Sequence, residues 1–88
     1  MTTQPDPLTI AREAQELERR CLAAGRRVTL GGSVDSETAA EVLGVAAGTL
    51  RNWRAAGIGP AYTPIRGRCW YSVTDLAAWR LGYRSTAP

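Results

Sequence analysis

Residue types that often carry chemistry are missing or scarce in this 88-residue chain. It has no histidine and no lysine, and it has only two cysteines, Cys21 and Cys69. A structural zinc ion usually takes four Cys or His ligands, so the chain alone cannot build such a site. The absence of histidine also removes the commonest general base. With no nucleophile–base group and no phosphate-binding glycine loop in view, we predict neither an enzyme nor a bound metal or cofactor.

Long apolar runs are also missing. None approaches the roughly 20 residues that span a membrane, and the N-terminal segment MTTQPDPLTI lacks the basic start and apolar stretch of a secretory signal. We therefore expect a cytoplasmic protein without membrane contact. In that compartment the two cysteines should stay reduced and act as small core residues.

Arginine and aromatic residues are concentrated in the C-terminal part of the chain. Residues 1–50 hold five Arg against seven carboxylates, whereas residues 51–88 hold six Arg against one carboxylate and contain every Trp and Tyr. A basic, aromatic-rich segment is typical of nucleic-acid binding. The alternative is a solvated arginine surface around an aromatic core.

An apolar stripe at helical spacing lies near the N-terminus and consists of Ile10, Ala14, Leu17 and Cys21. It predicts a helix over residues 9–24 after a loose tail, with Thr9 as its N-cap and Gly25 after its end. We expect this helix to pack on its own domain; the alternative is a second copy of the chain. Residues 26–30 form either a short strand or a linker.

Two short helices are predicted next. The first runs from Ser36 to Leu43 behind the N-cap Asp35, and Gly44 supplies a tight turn. The second runs over residues 47–56. Its core face is Leu50 and Trp53, so the opposite face presents Gly48, Arg51, Asn52 and Ala55, with Arg54 on a flank.

A hairpin and a last helix complete the pattern. Residues 61–65 and 68–71 are expected to form two strands around the turn Arg66–Gly67. Pro64 cannot donate a ladder hydrogen bond, which predicts an edge or bulged strand. The segment Ser72-x-x-Asp75 predicts a capped helix to about residue 81. The fold class is therefore mainly α: a small winged helix-turn-helix with a two-stranded β wing and an extra N-terminal helix.

The segment from Val34 to Trp79 resembles the winged helix-turn-helix family of phage and plasmid excisionases and AlpA-type regulators, which is itself MerR-like. The resemblance rests on Ala39-Ala40-Glu41, Leu43-Gly44-Val45, Thr49-Leu50, Trp53, Gly57, Gly59-Pro60, Gly67-Arg68, Tyr71, Asp75-Leu76 and Trp79. It implies double-stranded DNA as the partner, together with a role in excision, beside a recombinase, or in transcription regulation. Two departures stand out: Ala46 replaces the usual Ser or Thr cap, and the strand near Pro64 lacks the usual basic residue.

The pattern and the resemblance give the same set of candidate DNA-binding residues. Arg51 and Asn52 suit guanine and adenine in the major groove, respectively. Thr49 suits a phosphate or a thymine methyl group, and Arg54 suits the backbone. Arg66 and Arg68 on the wing suit phosphate or an adjacent minor groove. Trp53 and Trp79 are assigned to the core, as is Tyr71 with its hydroxyl near the surface, whereas Trp70 is expected to be exposed.

Size limits the strength of this binding. One small module buries about 600–1,000 Å² on DNA, and four or five phosphate contacts give a log–log salt slope of about −4. We therefore expect several copies to act together, with the N-terminal helix as their contact. The expected divisions are residues 1–32 (tail, helix and linker), 33–82 (DNA-binding domain) and 83–88 (tail). Alternative functions are the DNA-recognition subunit of a larger assembly, such as a phage terminase small subunit, and a protein-binding adaptor.

Overall fold

Four helices and three short strands make up the part of the chain that the computed structural model describes, residues 6–82. Their order is α1 (Pro7–Ala23), β1 (Ser33–Asp35), α2 (Ser36–Leu43), α3 (Ala47–Ala56), β2 (Thr63–Ile65), β3 (Arg68–Ser72) and α4 (Val73–Arg80). The mainly α winged helix-turn-helix architecture is confirmed. The predicted tails at residues 1–5 and 83–88 lie outside the described residues.

Helix α1 begins two residues earlier than predicted. Asp6, not Thr9, is its N-cap: the Asp6 carboxylate accepts a hydrogen bond from the Thr9 backbone amide at 2.7 Å. Pro7 follows at the first helical position. A backbone N–H at this position would have no acceptor within the helix, so the proline costs no hydrogen bond. The hydrogen bond from the Thr9 backbone amide also lowers the pKa of Asp6. The assignment of residues 1–7 to a loose tail was therefore wrong at Asp6 and Pro7.

The sheet has one more strand than the predicted wing. Its order is β1-β3-β2, all antiparallel, with Val34 opposite Tyr71 in the register of β1 and β3. Residues 26–29 are irregular and residues 30–32 form a turn, so the linker alternative for this segment is correct. Both Val34 and Tyr71 are fully buried. Strand β1 immediately precedes α2 and pairs with β3, so it connects the start of α2 to the wing.

Pro64 lies on the edge strand, as predicted. Ile65 and Arg68 flank the two-residue turn, and Pro64 pairs with Cys69. In such a hairpin the flanking pair exchanges hydrogen bonds and the next pair does not. The nitrogen of Pro64 therefore points away from β3, so the hairpin loses no hydrogen bond. The proline also leaves this open edge without one donor for a further strand.

One apolar core joins α1 to the helix-turn-helix. Ala14, Leu17 and Cys21 of α1 belong to the same buried cluster as Leu50 of α3 and Leu76 of α4. Helix α1 makes its main contact with α4, so its apolar stripe packs on its own chain, as expected. Both cysteines are free, and burial raises the pKa of the Cys21 thiol.

The three tryptophans lie at the edge of this core. Trp53 and Trp79 are half-buried and their ring centroids are 5.8 Å apart. Gly59 lies close to Trp53: an added Cβ would lie 3.2 Å from the indole, and the φ of +94° further disfavours a side chain. Trp70, expected to be exposed, is half-buried instead, with the Arg68 guanidinium 6.0 Å from its ring centroid.

Candidate nucleic-acid interface

Helix α3 turns one face to the core and the other to solvent. Leu50 is fully buried, and Trp53 packs against the core cluster. Arg51 and Asn52 are exposed, whereas Thr49 is half-buried. The turn before the helix is fixed by Gly44, whose φ of 74° is left-handed, and by a hydrogen bond from the Val45 amide to the Ala40 carbonyl. This local geometry holds α3 against α2 with its polar face outward.

The N-terminus of α3 has no side-chain cap. Ala46 occupies the cap position in an extended conformation and makes no side-chain hydrogen bond. The first amides of a helix point along its axis and carry a partial positive charge, which favours anions such as phosphate. Here no cap hydroxyl or carboxylate competes for them.

Arg54 joins α3 to two other elements. Its Nη1 donates to the Ser36 hydroxyl at 2.9 Å and to the Tyr71 hydroxyl at 3.0 Å. Its guanidinium carbon also lies 5.9 Å from the centroid of the Tyr62 ring. These contacts link α3 to the start of α2 and to the central strand β3. Both hydrogen bonds use Nη1, so the other N–H groups of Arg54 take no part in them.

The contact with Tyr71 changes the acidity of both groups. The hydrogen bond to Tyr71 raises the pKa of Arg54. Burial raises the pKa of Tyr71, although the Arg54 contact partly offsets it. The phenol is therefore neutral and the guanidinium charged at all physiological pH values. Within residues 6–82, no buried side-chain nitrogen or oxygen lacks a hydrogen-bond partner.

The hairpin turn holds an arginine in an unfavourable backbone conformation. Arg66 has a φ of 52° and Gly67 a φ of 79°, as a type I′ turn requires at both central positions. Arg66 is the one non-glycine residue with a positive φ among residues 6–82. A left-handed conformation costs an ordinary residue about 1–2 kcal/mol. Both Arg66 and Arg68 are exposed.

The hairpin and the helices border a common depression of about 340 Å³. Its lining includes Gly67 and Arg68 of the hairpin region and Ser36 and Arg54 of the helices. Asp35 and Glu37 also lie on its wall, so the depression carries both signs of charge. Arg54 and Arg68 are therefore brought to one site, whereas Arg51, Asn52 and Arg66 lie outside this lining.

Sequence reasoning missed Ser36 and Tyr62, the two residues that contact Arg54 together with Tyr71. Ser36 was treated only as the start of a helix, and its contact with Arg54 joins residues 18 positions apart. Tyr62 is 41% exposed, and its ring centroid lies 5.9 Å from that of Tyr71. The one available signal was the position of Tyr62 two residues after Gly59-Pro60, in a segment that the structure places beside α3.

The architecture defines a small winged helix-turn-helix protein: two short helices joined by a tight turn, an antiparallel wing and a closing helix. Comparison with family models gives the same result. Residues 34–83, more than half of the chain, match the family described as "Helix-turn-helix domain", and the protein belongs to that family. Neither the curated proteins nor the solved structures contain a match to the chain. Helix α1 lies outside the matched segment.

Two further findings concern the described residues as a whole. None of their helices has the length and apolar character to cross a lipid bilayer. No group of three or more Cys, Asp or Glu side chains among them is arranged to hold a metal ion.

Proposed function

We propose that this protein binds duplex DNA with sequence preference through α3 and the β2–β3 hairpin. The observation that carries the contact with DNA is Arg66, and the sequence preference is assigned to the exposed Arg51 and Asn52 of α3. An arginine occupies a turn position that asparagine or glycine would fill at lower conformational cost. Backbone strain of this kind often accompanies a functional side chain. Because the Arg66 side chain is exposed, the function that accounts for it is contact with a partner.

In this proposal α3 enters the major groove. Arg51 reads guanine with its two parallel donors, and Asn52 reads adenine with its amide. Thr49 meets a phosphate or a thymine methyl group near the uncapped start of the helix. Arg54 contacts the DNA backbone with the N–H groups that its hydrogen bonds to Ser36 and Tyr71 do not use.

The wing supplies the second contact. Arg66 and Arg68 reach phosphate or the adjacent minor groove, where a narrow A·T-rich groove attracts arginine. These contacts are largely independent of base identity, so they contribute affinity and salt dependence, whereas Arg51 and Asn52 contribute specificity. The interface has the size of a single module, so tight binding requires more than one copy on adjacent sites.

The biological role that fits this chemistry is that of an excisionase or a small transcription regulator of a phage or other mobile element. The described residues contain a DNA-binding unit and one additional helix, and this favours a protein that acts by occupying or bending DNA. As an excisionase it would work beside a recombinase. Support for this role comes from the motif resemblance.

Selection of bound duplexes from a random pool tests the proposal. The purified protein is expected to enrich a short motif, and Arg51→Ala or Asn52→Ala is expected to relax the preference at one base pair each. The positions of the motif in the source genome then separate the two roles: repeats near an attachment site indicate excision, and promoter sites indicate regulation. A pool without enrichment would overturn sequence-specific binding.

A further inference from the structure

Arg54 is held in place by neutral groups. Its Nη1 donates to the Ser36 hydroxyl at 2.9 Å and to the Tyr71 hydroxyl at 3.0 Å, and no carboxylate among residues 6–82 lies within ion-pair distance of it. Arg80, by contrast, is paired with Glu13. A carboxylate orients a guanidinium and also neutralises its charge, whereas a hydroxyl orients it and leaves the charge in place. Arg54 is therefore fixed and still able to attract an anion.

The two hydrogen bonds leave one edge of the guanidinium unused. Both hydrogens of Nη1 are taken by the Ser36 and Tyr71 hydroxyls, so the N–H groups of Nε and Nη2 remain. Nε–H and the adjacent Nη2 hydrogen lie in one plane and form a fork that suits two oxygen atoms of a phosphate. No group in the described part of the chain occupies this fork. Because no buried side-chain nitrogen there lacks a partner, the fork reaches solvent.

The surroundings of Arg54 restrict it further. The centroid of the Tyr62 ring lies 5.9 Å from the guanidinium carbon and 5.9 Å from the centroid of the Tyr71 ring. The depression of about 340 Å³ between the hairpin and the start of α2 is lined by Ser36, Arg54 and Arg68. An aromatic ring thus lies beside the guanidinium, and Arg54 borders one space together with an arginine of the wing.

Two carboxylates border the same depression, so the charges around it must be compared. The Asp35 carboxylate accepts a hydrogen bond from the Thr38 amide at 2.8 Å and caps α2. Glu37 is exposed, and water screens its charge. Neither carboxylate is paired with Arg54 or Arg68. The two arginines therefore make their part of the depression the place for an anion.

We propose that Ser36 and Tyr71 are positioning residues that hold Arg54 ready for one DNA phosphate, which its Nε–Nη2 fork binds through two oxygens. The inference rests on the proposed function, because it requires DNA beside α3 and the wing. Without the two hydroxyls Arg54 could still reach the phosphate, but its long side chain would have to be ordered during binding. The hydroxyls therefore increase affinity without touching DNA.

The salt dependence of DNA affinity separates positioning from contact. In fluorescence anisotropy on the duplex obtained by selection, Arg54→Ala should weaken binding and reduce the magnitude of the log–log salt slope by about 0.9, the value for one phosphate contact. Tyr71→Phe and Ser36→Ala should each weaken binding about threefold, because ordering one long side chain then opposes binding. Their slopes should equal that of the wild type. In the Arg54→Ala background neither change should have a further effect.

Two further serine variants control for the loss of a hydroxyl. Ser36→Thr keeps a hydroxyl at the same position and should bind like the wild type. Ser33→Ala removes a half-buried serine hydroxyl that is not bonded to Arg54 and should also leave the affinity unaltered. Urea unfolding checks that each variant is folded where binding is measured. If the fully buried Tyr71 does not tolerate the change to Phe, the half-buried Ser36 carries the test.

NMR relaxation of the Arg54 Nε nitrogen, measured without DNA, tests the anchoring by itself. The guanidinium should be rigid in the wild type and mobile in Ser36→Ala/Tyr71→Phe. The proposal would be overturned by a mobile wild-type guanidinium, by an unchanged salt slope in Arg54→Ala, by hydroxyl variants that bind like the wild type, or by hydroxyl effects that persist without Arg54. Each of these leaves sequence reading by Arg51 and Asn52 standing. A wild type that binds no duplex would instead refute the proposed function and this inference together.

Discussion

Arg66 combines a strained backbone with an exposed charge. Its φ of 52° follows from the type I′ turn, and nothing in the fold requires an arginine there. If the side chain serves DNA binding, stability and affinity should respond to substitution in opposite directions. This makes Arg66 more informative than the other exposed arginines.

Replacing Arg66 with Asn tests whether stability and DNA affinity change in opposite directions. Asparagine tolerates positive φ, so Arg66→Asn is expected to raise the free energy of unfolding by about 1 kcal/mol. The same variant should bind DNA more weakly, with a log–log salt slope smaller in magnitude by about 0.9, the value for one phosphate contact. Urea unfolding and fluorescence anisotropy measure the two effects. An unchanged slope would remove Arg66 from the interface; Arg27→Asn is the matched control.

Asp35 gives the fold a pH dependence. Although partial burial raises the pKa of Asp35, the hydrogen bonds from Thr38 outweigh it and hold the pKa below its ordinary value. A carboxylate with a lowered folded-state pKa stabilises the fold at neutral pH. That contribution is lost as the pH falls below the unfolded value of about 3.9 towards the lower folded value.

Asp35→Asn keeps an N-cap acceptor but cannot ionise. At pH 7 the wild type is expected to be more stable than this variant by a few tenths to about 1 kcal/mol, from the interaction of the charge with the start of α2. Near pH 3 the difference should shrink. Urea unfolding at the two pH values checks this, and an equal difference at both would assign the stabilisation to the hydrogen bond alone.

Helix α3 lacks the cap that its neighbours have. Asp35 caps α2 and Ser72 caps α4 through the amides of Thr38 and Asp75, whereas Ala46 caps α3 with no side-chain bond. Helix α3 is therefore held by its tertiary contacts: the buried Leu50, the packing of Trp53 on Trp79, and the hydrogen bonds of Arg54. Local helix stability contributes less here than in α2 or α4.

A cap at Ala46 should strengthen this helix. Ala46→Ser is expected to raise the free energy of unfolding by about 1 kcal/mol. Ala55→Ser, at an exposed position later in the same helix, should instead lower it slightly, because serine is a poorer helix former than alanine within a helix. Thermal and urea unfolding of the two variants measure the contrast. Equal effects at both sites would show that a serine hydroxyl adds no hydrogen bond to the first backbone amides of α3.

The elements that the sequence predicted well are those with local signals. Asp35, Gly44, Gly57 and Ser72 mark helix ends by their own side chain or φ value, and the structure has helix ends at all four. Strand β1 was missed because polar–apolar alternation over only three residues is too short to identify a strand, and because its partner Tyr71 lies 37 residues beyond Val34. The cap at Asp6 was missed although Pro7 marks the first helical position.

Across the whole molecule, the candidate site was only partly visible in the sequence. The exposed face of α3 followed from the three-residue spacing of Leu50 and Trp53. The second role of Arg54 did not, because it depends on Ser36 and Tyr71 meeting in three dimensions.

The central claim is that α3 reads DNA sequence, and affinity for two duplexes tests it most directly. The comparison is between the selected duplex and one of scrambled sequence, measured by fluorescence anisotropy for the wild type, Arg51→Ala, Asn52→Ala and the control Arg27→Ala. We predict that Arg51→Ala and Asn52→Ala each lose about 1–3 kcal/mol of binding free energy on the selected duplex and less on the scrambled one, while Arg27→Ala changes neither. Wild-type affinity of both α3 variants for both duplexes would contradict the account.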